Sequence, residues 1–387
     1  MESWKRKLRM GMVGGGRGSF IGAVHRIVAC MDLHVELVAG CFSRDFKNTQ
    51  ATCGDLYLEP ARCYKTYQEM AEKEAALPEG ERIDFVSIVT PNVSHFPIAK
   101  KFLECGIHVV VDKPMTFTLA EAKKLAKLVE KSGLVFCLTY NYTGHPLVRE
   151  ARRMFTSGQM GQVRRVNVEY MQEFLMFPHE KKGSKQAIWR TDPAQSGIAG
   201  TIGDVGTHAF NLLEYVTGQK VVELCCDKST FLPDRALDED ANMLLRLEGG
   251  GKGVLCCSQI ACGEENHIWI RAYGSEGAII WDQENPNYMA YYQYGKPRQV
   301  YTRGRDEFLS KFAMEGTRLP WGHTEGYLEA FANTYCEAVR AIRAHIDGKP
   351  MKTSEYRFPT VYDGLRGMQF IYAAVQSADK GGKWMKV

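Results

Sequence analysis

Up to Tyr140, short runs of almost wholly apolar residues alternate with stretches of helical character, and this alternation constrains the fold more than any other feature. The runs are Leu8–Val13, Val35–Gly40, Phe85–Val89, His108–Val111 and Leu134–Tyr140. A strand that is apolar throughout must be covered on both faces, and strands separated by helices pair in parallel. A doubly wound parallel sheet with helices on both sides is therefore expected over residues 1–144. Ligands of such a sheet lie beyond the carboxyl ends of its strands.

The first run ends in Gly14-Gly15-Gly16-Arg17-Gly18-Ser19-Phe20-Ile21-Gly22 and leads into a helix reaching about Met31. Strand, glycine turn and helix in this order are the context of a Rossmann dinucleotide site. Gly14 suits the tight turn, and Gly16 lets the backbone approach a pyrophosphate at the helix N-terminus. The third fingerprint position carries Ser19 where glycine or alanine is usual, with an extra glycine at Gly18. Cofactor contacts are expected from Gly14, Gly16, Arg17, Gly18, Ser19, Phe20 and Ile21.

An NAD site usually offers a carboxylate about 20 residues past the glycines, for the ribose 2′-OH. Phe42 stands there instead, followed by Ser43 and Arg44, which could accommodate a 2′-phosphate, while Asp45 is placed to cap the next helix. The cofactor is expected to be NAD or NADP, with a lean towards NADP or dual use.

The third run ends in Thr90-Pro91-Asn92, ahead of a helix from His95 to Cys105, and the fourth runs out into Asp112-Lys113-Pro114. Thr118 and Glu121 have the spacing of a capping box, and Gly133 ends the helix they start. Asn141 follows the fifth run. Because all these segments follow strand ends, they are expected on one rim, with Ser43, Arg44, Thr90, Asn92, His95, Asp112, Lys113, Pro114 and Asn141 at the cofactor. His95 is expected near the adenine or the nicotinamide ribose, or else on the surface.

Beyond Tyr142 the pattern changes. A helix over Pro146–Ser157 and a long alternating strand over Val163–Gln172 precede a polar loop from Glu173 to Gln195. Asp204-Val205-Gly206-Thr207-His208 opens a helix running to about Thr217, and strands then follow in succession with few helices between them. Such a run signals an α+β domain on a large, mostly antiparallel sheet, expected over residues 145–387. Helices close the chain over Thr324–Ile346 and Thr360–Ala378.

Composition excludes several classes. The chain has 387 residues, 45% hydrophobic and 24% charged, with a net charge of +4 and its charges interspersed. No basic block with interleaved aromatics marks a nucleic-acid surface, and no run approaches the ~18 apolar residues of a membrane span. No apolar secretory segment stands ahead of the first strand, so a cytoplasmic location is expected. Twelve cysteines occur without a CxxC pair, and reduced, largely buried thiols are expected. A hydrolytic zinc site from Asp204, His208 and His145 lacks any supporting ligand motif, and no metal is expected.

Gly14–Gly22, Thr90-Pro91-Asn92, Asp112-Lys113-Pro114, Asp204-Val205-Gly206-Thr207-His208, Trp189-Arg190-Thr191-Asp192-Pro193 and Gly326–Tyr335 together resemble the glucose–fructose oxidoreductase / inositol dehydrogenase (Gfo/Idh/MocA) family over essentially the whole chain. Asp112 stands where many members carry glutamate. The resemblance implies hydride transfer between a nicotinamide, which is tightly held in some relatives, and a secondary carbinol of a sugar, polyol or glycoside. Oxidation of a glycoside at C3 is one such activity, with inositol or a simple aldose as alternatives, and a non-catalytic NAD(P)-binding sensor as an alternative of another class. It also implies a cis bond before Pro114 and a homodimer or higher even oligomer.

Hydride loss from a carbinol needs a base for the hydroxyl proton and a cation near the developing alkoxide. His208 is expected as proton acceptor, Asp204 as the group orienting substrate or imidazole, and Lys113 as a hydrogen-bond donor to the reacting oxygen. Lys113 and His208 both remain open as the principal base. Substrate contacts are further expected from Tyr142, His145, Trp189, Arg190 and His323.

Overall fold

The computed structural model describes residues 5–387; Met1–Trp4, which the sequence places just ahead of the first strand, lie outside the described residues. By compactness the chain divides into two units, one made of Met1–Thr139 with Phe331–Leu365, the other of Tyr140–Ala330 with Arg366–Val387.

The first unit runs β1 (Leu8–Gly14), α1 (Phe20–Cys30), β2 (Val35–Cys41), α2 (Phe46–Asp55), α3 (Tyr67–Ala75), β3 (Phe85–Val89), α4 (His95–Glu104), β4 (His108–Val111), α5 (Leu119–Ser132) and β5 (Phe136–Leu138). Its five strands pair in parallel in the order β2-β1-β3-β4-β5. Every residue of β3 and β4 is buried, as strands covered on both faces must be. The strand order reverses between β1 and β3, and that switch point is where an open α/β sheet leaves a crevice.

Local chemistry agrees with this topology. Thr118 and Glu121 form both halves of the capping box of α5, and Gly133 ends it in the left-handed conformation. The last strand is shorter than the apolar run Leu134–Tyr140; just ahead of it the Val135 amide donates to the side chain of His108 in β4, at Nδ1, instead of to a backbone carbonyl.

The second unit contains α6 (Pro146–Thr156), β6 (Val163–Met171), α7 (Lys185–Thr191), α8 (Pro193–Ser196), α9 (Thr207–Thr217), β7 (Val221–Ser229), β8 (Asp240–Leu247), β9 (Lys252–Ser258), β10 (His267–Gly274), β11 (Gly277–Asp282), β12 (Tyr288–Gln293), β13 (Gln299–Thr302), α10 (Lys311–Met314), the first residues of α11 (Tyr327–Ile346), most of α12 (Val361–Asp379) and β14 (Met385–Lys386). Nine strands form one sheet in the order β13-β12-β11-β10-β6-β9-β8-β7-β14. All neighbours are antiparallel except β6 and β9, which run parallel. One face is apolar, with Val166, Val168, Tyr170, Leu255 and Cys257 buried, and α9 packs against β6, β9 and β10. The other face carries Arg165, Asn167, Glu169 and Leu244 and is partly exposed.

Three expectations need correction. The segment from Glu173 to Gln195 is not a loop throughout: Ser184 and Asp192 accept from the Ala187 and Ala194 amides and start α7 and α8. The helix bearing Asp204 and His208 does not open at Asp204. A π-helical turn, Ile202–Gly206, precedes α9, and Asp238 caps the whole, accepting from the Gly200 and Ile202 amides at 2.7 Å each. Finally, Cys53 and Cys63 form a disulfide, because the turn at Pro60–Arg62 returns the chain against α2 with Cα atoms 6.3 Å apart. The other ten cysteines form no disulfide.

Gly22 in α1 has no room for a side chain: a Cβ would stand 2.3 Å from Gly15 Cα and 2.7 Å from its carbonyl oxygen. Gly54, near the end of α2, has nothing within 4 Å of the same atom. Opposite signs are expected in urea denaturation. Gly22→Ala should lose about 1–3 kcal/mol through backbone displacement. Gly54→Ala should gain up to about 1 kcal/mol, from helix propensity alone.

Candidate active site

In the first unit the glycine turn fills the switch point. Gly14, Gly15 and Gly18 have φ of 84°, 76° and 83°, values that other residues rarely adopt. A Cβ on Gly14 would meet the Val89 carbonyl oxygen at 2.5 Å, so the turn presses on the end of β3. A Cβ on Gly16 would meet Asn48 Oδ1 at 2.4 Å, and the Gly16 amide donates to the Phe42 carbonyl. Ser19 is the N-cap of α1, its hydroxyl accepting from the Gly22 amide, and Phe20 and Ile21 begin the helix. The close-approach role of the third fingerprint glycine thus falls to Gly22, not to position 19.

The expected cofactor residues differ in what they offer. Arg17 spends its guanidinium on a bidentate pair with Asp55 at 2.6 Å, and its amide donates to Asn48 and Thr52. Phe42 is buried. Ser43 accepts from the Asp45 amide, while Arg44 is exposed. Asp45, the acid nearest the end of β2, caps α2 by accepting from the Lys47 amide. Thr90 Oγ1 is buried with no hydrogen-bond partner among the described residues, and Asn92 is buried beside it in sequence. A cradle without side chains, a helix N-terminus and an orphaned hydroxyl at one strand-end rim fit a dinucleotide's phosphates and ribose.

The Lys113–Pro114 peptide is cis. Asp112 Oδ1 accepts from the Lys113 amide at 2.9 Å and from Thr139 Oγ1 at 3.0 Å. His95 is neither a surface residue nor a ring offered to a ligand. It is fully buried, with Nδ1 2.9 Å from the Pro114 carbonyl and Nε2 2.8 Å from the Thr90 carbonyl. Burial pushes its pKa down against the pull of Asp112 and the two carbonyls. Its ring stands between the loop after β3 and the turn after β4, with one N–H to donate to one of the two carbonyls.

In the second unit a polar cluster surrounds Asp204. Its Oδ2 accepts from Arg190 Nε and from Gln259 Nε2, each at 3.0 Å. The Gln259 amide also donates to Gln172 Oε1, and Gln172 donates to Asn266 Oδ1 at 2.6 Å. Asn266 donates to Tyr142 Oη, which lies 2.6 Å from Tyr170 Oη. His208 stands against three tyrosine rings, with centroids 5.6, 4.9 and 6.0 Å away at Tyr140, Tyr142 and Tyr170. Burial pushes the Tyr142 hydroxyl up to about 12, partly offset by its bonds to Tyr170 and Asn266, and Asp204 pushes it further up. Carboxylate and imidazole therefore share the same two tyrosines, although the π turn between them departs from a regular α-helical i, i+4 pair.

The remaining expected substrate residues divide. Arg190 lies over the Trp189 ring at 4.3 Å, and both are half-buried. Asn141 and His145 are buried, and Asn141 Nδ2 and His145 Nε2 have no hydrogen-bond partner among the described residues. The His145 ring is stacked parallel to Tyr142 and packs on Trp281, and burial lowers its pKa to about 3. His323 is exposed, its Nδ1 3.4 Å from the Trp321 carbonyl, and none of these contacts joins it to Asp204.

Gln172, Gln259, Tyr170 and Asn266 were missed in the sequence, and two of them left a signal. Val166, Val168 and Tyr170 set an inward register that Gln172 continues, and Leu255 and Cys257 set one that Gln259 continues. An amide on the buried register of an apolar strand is costly unless it is bonded. Among the described residues, no group of three or more His, Cys, Asp or Glu side chains is placed to hold a metal ion.

Residues 8–140 match the oxidoreductase family with NAD-binding Rossmann fold, and residues 148–280 match the GFO/IDH/MocA C-terminal domain. The crystal structure of an oxidoreductase from Sinorhizobium meliloti is 44% identical, with a TM-score of 0.88, and the match covers 99% of this chain and 100% of that one. That of an inositol dehydrogenase homolog from Azotobacter vinelandii, complexed with NAD+, is 36% identical with a TM-score of 0.94, covering 99% and 98%. A second structure of that homolog holds NADH and myo-inositol; it is 35% identical, with a TM-score of 0.92 and the same coverage. Levoglucosan dehydrogenase of Pseudarthrobacter phenanthrenivorans is 24% identical over 99% of this chain and 98% of its own. Matched in both halves and along its whole length, the chain belongs to the GFO/IDH/MocA family of NAD-binding oxidoreductases.

Proposed function

We propose that the protein is an NAD(P)-dependent dehydrogenase acting on a secondary hydroxyl or keto carbon of a sugar, glycoside or polyol. The observation that carries this is the cluster around Asp204: amides, tyrosine hydroxyls and an arginine held together by hydrogen bonds, next to His208. Hydroxyl-rich ligands exchange bonds with such groups at little cost, whereas an apolar ligand would leave them unpaired. A sensor that only binds nucleotide has no use for Lys113, Asp204 and His208 together.

The nicotinamide, when bound, supplies the hydride acceptor or donor. In our proposal Gly14, Gly16, the α1 N-terminus, Thr90 and Asn92 hold the cofactor, and Asp112 with Pro114 fixes the turn that presents Lys113. His208 takes the hydroxyl proton, Asp204 orients the substrate, and Lys113 donates to the reacting oxygen; Trp189, with Arg190 across its face, is the platform for a sugar ring. The helical arm of α7 and α8 suits a glycoside oxidised at C3. The myo-inositol complex of the Azotobacter homolog and the levoglucosan relative make a free polyol and an anhydrosugar the first alternatives to test. A cytoplasmic location accords with the absence, among the described residues, of any helix long and apolar enough to cross a membrane. Self-association through the partly exposed sheet face, where Leu244 is 52% exposed, is proposed on the same footing.

The first test is to denature the purified protein and identify the released nucleotide by mass, then to follow NAD+ and NADP+ reduction with myo-inositol, methyl glucosides and levoglucosan. Reduction with a polyhydroxylated substrate is expected; binding of nucleotide with no turnover on any such compound would favour the sensor. Because Asp45 is committed to α2 and no other acid stands at the end of β2, kcat/KM for NAD+ and NADP+ should differ by less than about tenfold, that is by under about 1.4 kcal/mol. His208→Ala should lower kcat by about 10²–10⁴-fold, the range for a lost general base, and Lys113→Ala should do likewise. Near-wild-type kcat in either variant removes that residue from the mechanism.

A further inference from the structure

His25, in the middle of α1, is fully buried, and nothing in the proposed mechanism uses it. Its Nδ1 lies 2.7 Å from Tyr335 Oη and 3.3 Å from Ser87 Oγ, and those two hydroxyls are 2.8 Å apart. Its Nε2 has no hydrogen-bond partner among the described residues and faces Asp112 Oδ2 at 4.0 Å. Four elements therefore converge: α1, β3, α11 and the turn after β4. Phe331 packs edge-on against the imidazole at 4.8 Å and limits its rotation.

The hydrogens of this cluster can be assigned. Burial lowers the His25 pKa to about 4; Asp112 pulls it up, while Arg26 of the same helix and His95 of α4 push it down. At neutral pH the ring is thus neutral and carries a single N–H. A bare Nε2 lone pair facing a carboxylate oxygen would be repelled, so the N–H sits on Nε2 and Nδ1 is the acceptor. Tyr335 must then donate to Nδ1, and Ser87 to the tyrosine oxygen. The other Asp112 oxygen already accepts from the Lys113 amide and Thr139 Oγ1, so the carboxylate is surrounded by donors on both sides.

We propose that His25 is a positioning residue for Lys113: locked in its Nε2–H tautomer by Tyr335 and Ser87, it orients the Asp112 carboxylate that grips the Lys113 backbone amide. This rests on the role proposed for Lys113, but the clamp itself can be measured without substrate. The separation of 4.0 Å is an electrostatic contact, longer than a hydrogen bond, and it acts on the direction of the carboxylate. Since α1 also starts at the glycine turn, one helix serves both the phosphate cradle and the lysine turn.

The test is amide hydrogen exchange and imidazole 15N spectroscopy on the deuterated full-length protein, in wild type, Tyr335→Phe, His25→Gln and Asp112→Ala. The wild-type His25 signal should be that of the Nε2–H tautomer; the Nδ1–H form would overturn the assignment. Tyr335→Phe keeps the ring and its packing, and should speed exchange at the Lys113 amide at least fivefold while leaving Val109, Val110 and Val111 unchanged. In an Asp112→Ala background it should add nothing further. An unchanged Lys113 amide, or equal acceleration along β4, would reduce His25 to a packing residue. Should the amide respond while Lys113→Ala keeps its activity, the clamp stands and the catalytic role of Lys113 falls.

Discussion

The backbone of Gly15 meets the Cα of Gly22 with no space for a methyl group between them, and the nucleotide-binding half depends on that contact. It brings the N-terminus of α1 to the end of β1, where the strand order reverses and the sheet leaves its crevice. The partial positive charge of the helix dipole then lies at that end of the sheet. The same helix carries His25 beneath the Asp112–Lys113–Pro114 turn, so a displacement of α1 would be felt at both places.

The second unit meets a different constraint. A polar cluster among apolar strands is stable only when its members satisfy one another, since each buried orphan costs about 1–3 kcal/mol. Asp204 meets this with two donors on one oxygen, and the chain of bonds through Gln259, Gln172 and Asn266 to the tyrosine pair leaves each member partnered. Anchors outside the cluster hold it in register. Asp238 caps the helix that bears Asp204, and Arg235, almost fully buried, joins Glu180 to Glu239 and so fastens the start of the arm that carries Arg190.

Much of this was legible in the residues. The apolar runs located the parallel strands within two residues at either end, and the Thr118–Glu121 spacing marked the start of α5, because these signals are local. Lys113, Asp204 and His208 are singled out by the resemblance of their motifs to the family. The glycine turn is legible, but the fingerprint spacing leads to position 19, which holds serine, whereas the glycine in close approach is Gly22; only packing shows which glycine touches which. His95 could be read as a surface or cofactor histidine because its two carbonyl partners are five and nineteen residues away. The amides of Gln172 and Gln259 were overlooked although the strand register pointed them inward.

By itself the sequence determined the kind of structure: a parallel sheet behind a glycine turn, then a strand-rich half. Those properties follow from periodicity, from the conformational freedom of glycine and from the chemistry of single side chains, all of which act over a few residues. Tertiary structure alone decided which groups those residues meet. Asp238 reaches its helix from 36 residues away, Ser87 and Tyr335 meet across 248, and the Cys53–Cys63 bond depends on a turn returning to α2. Contacts of that kind are set by how elements pack, since loop closure costs little more for a long loop than for a short one and leaves no local trace.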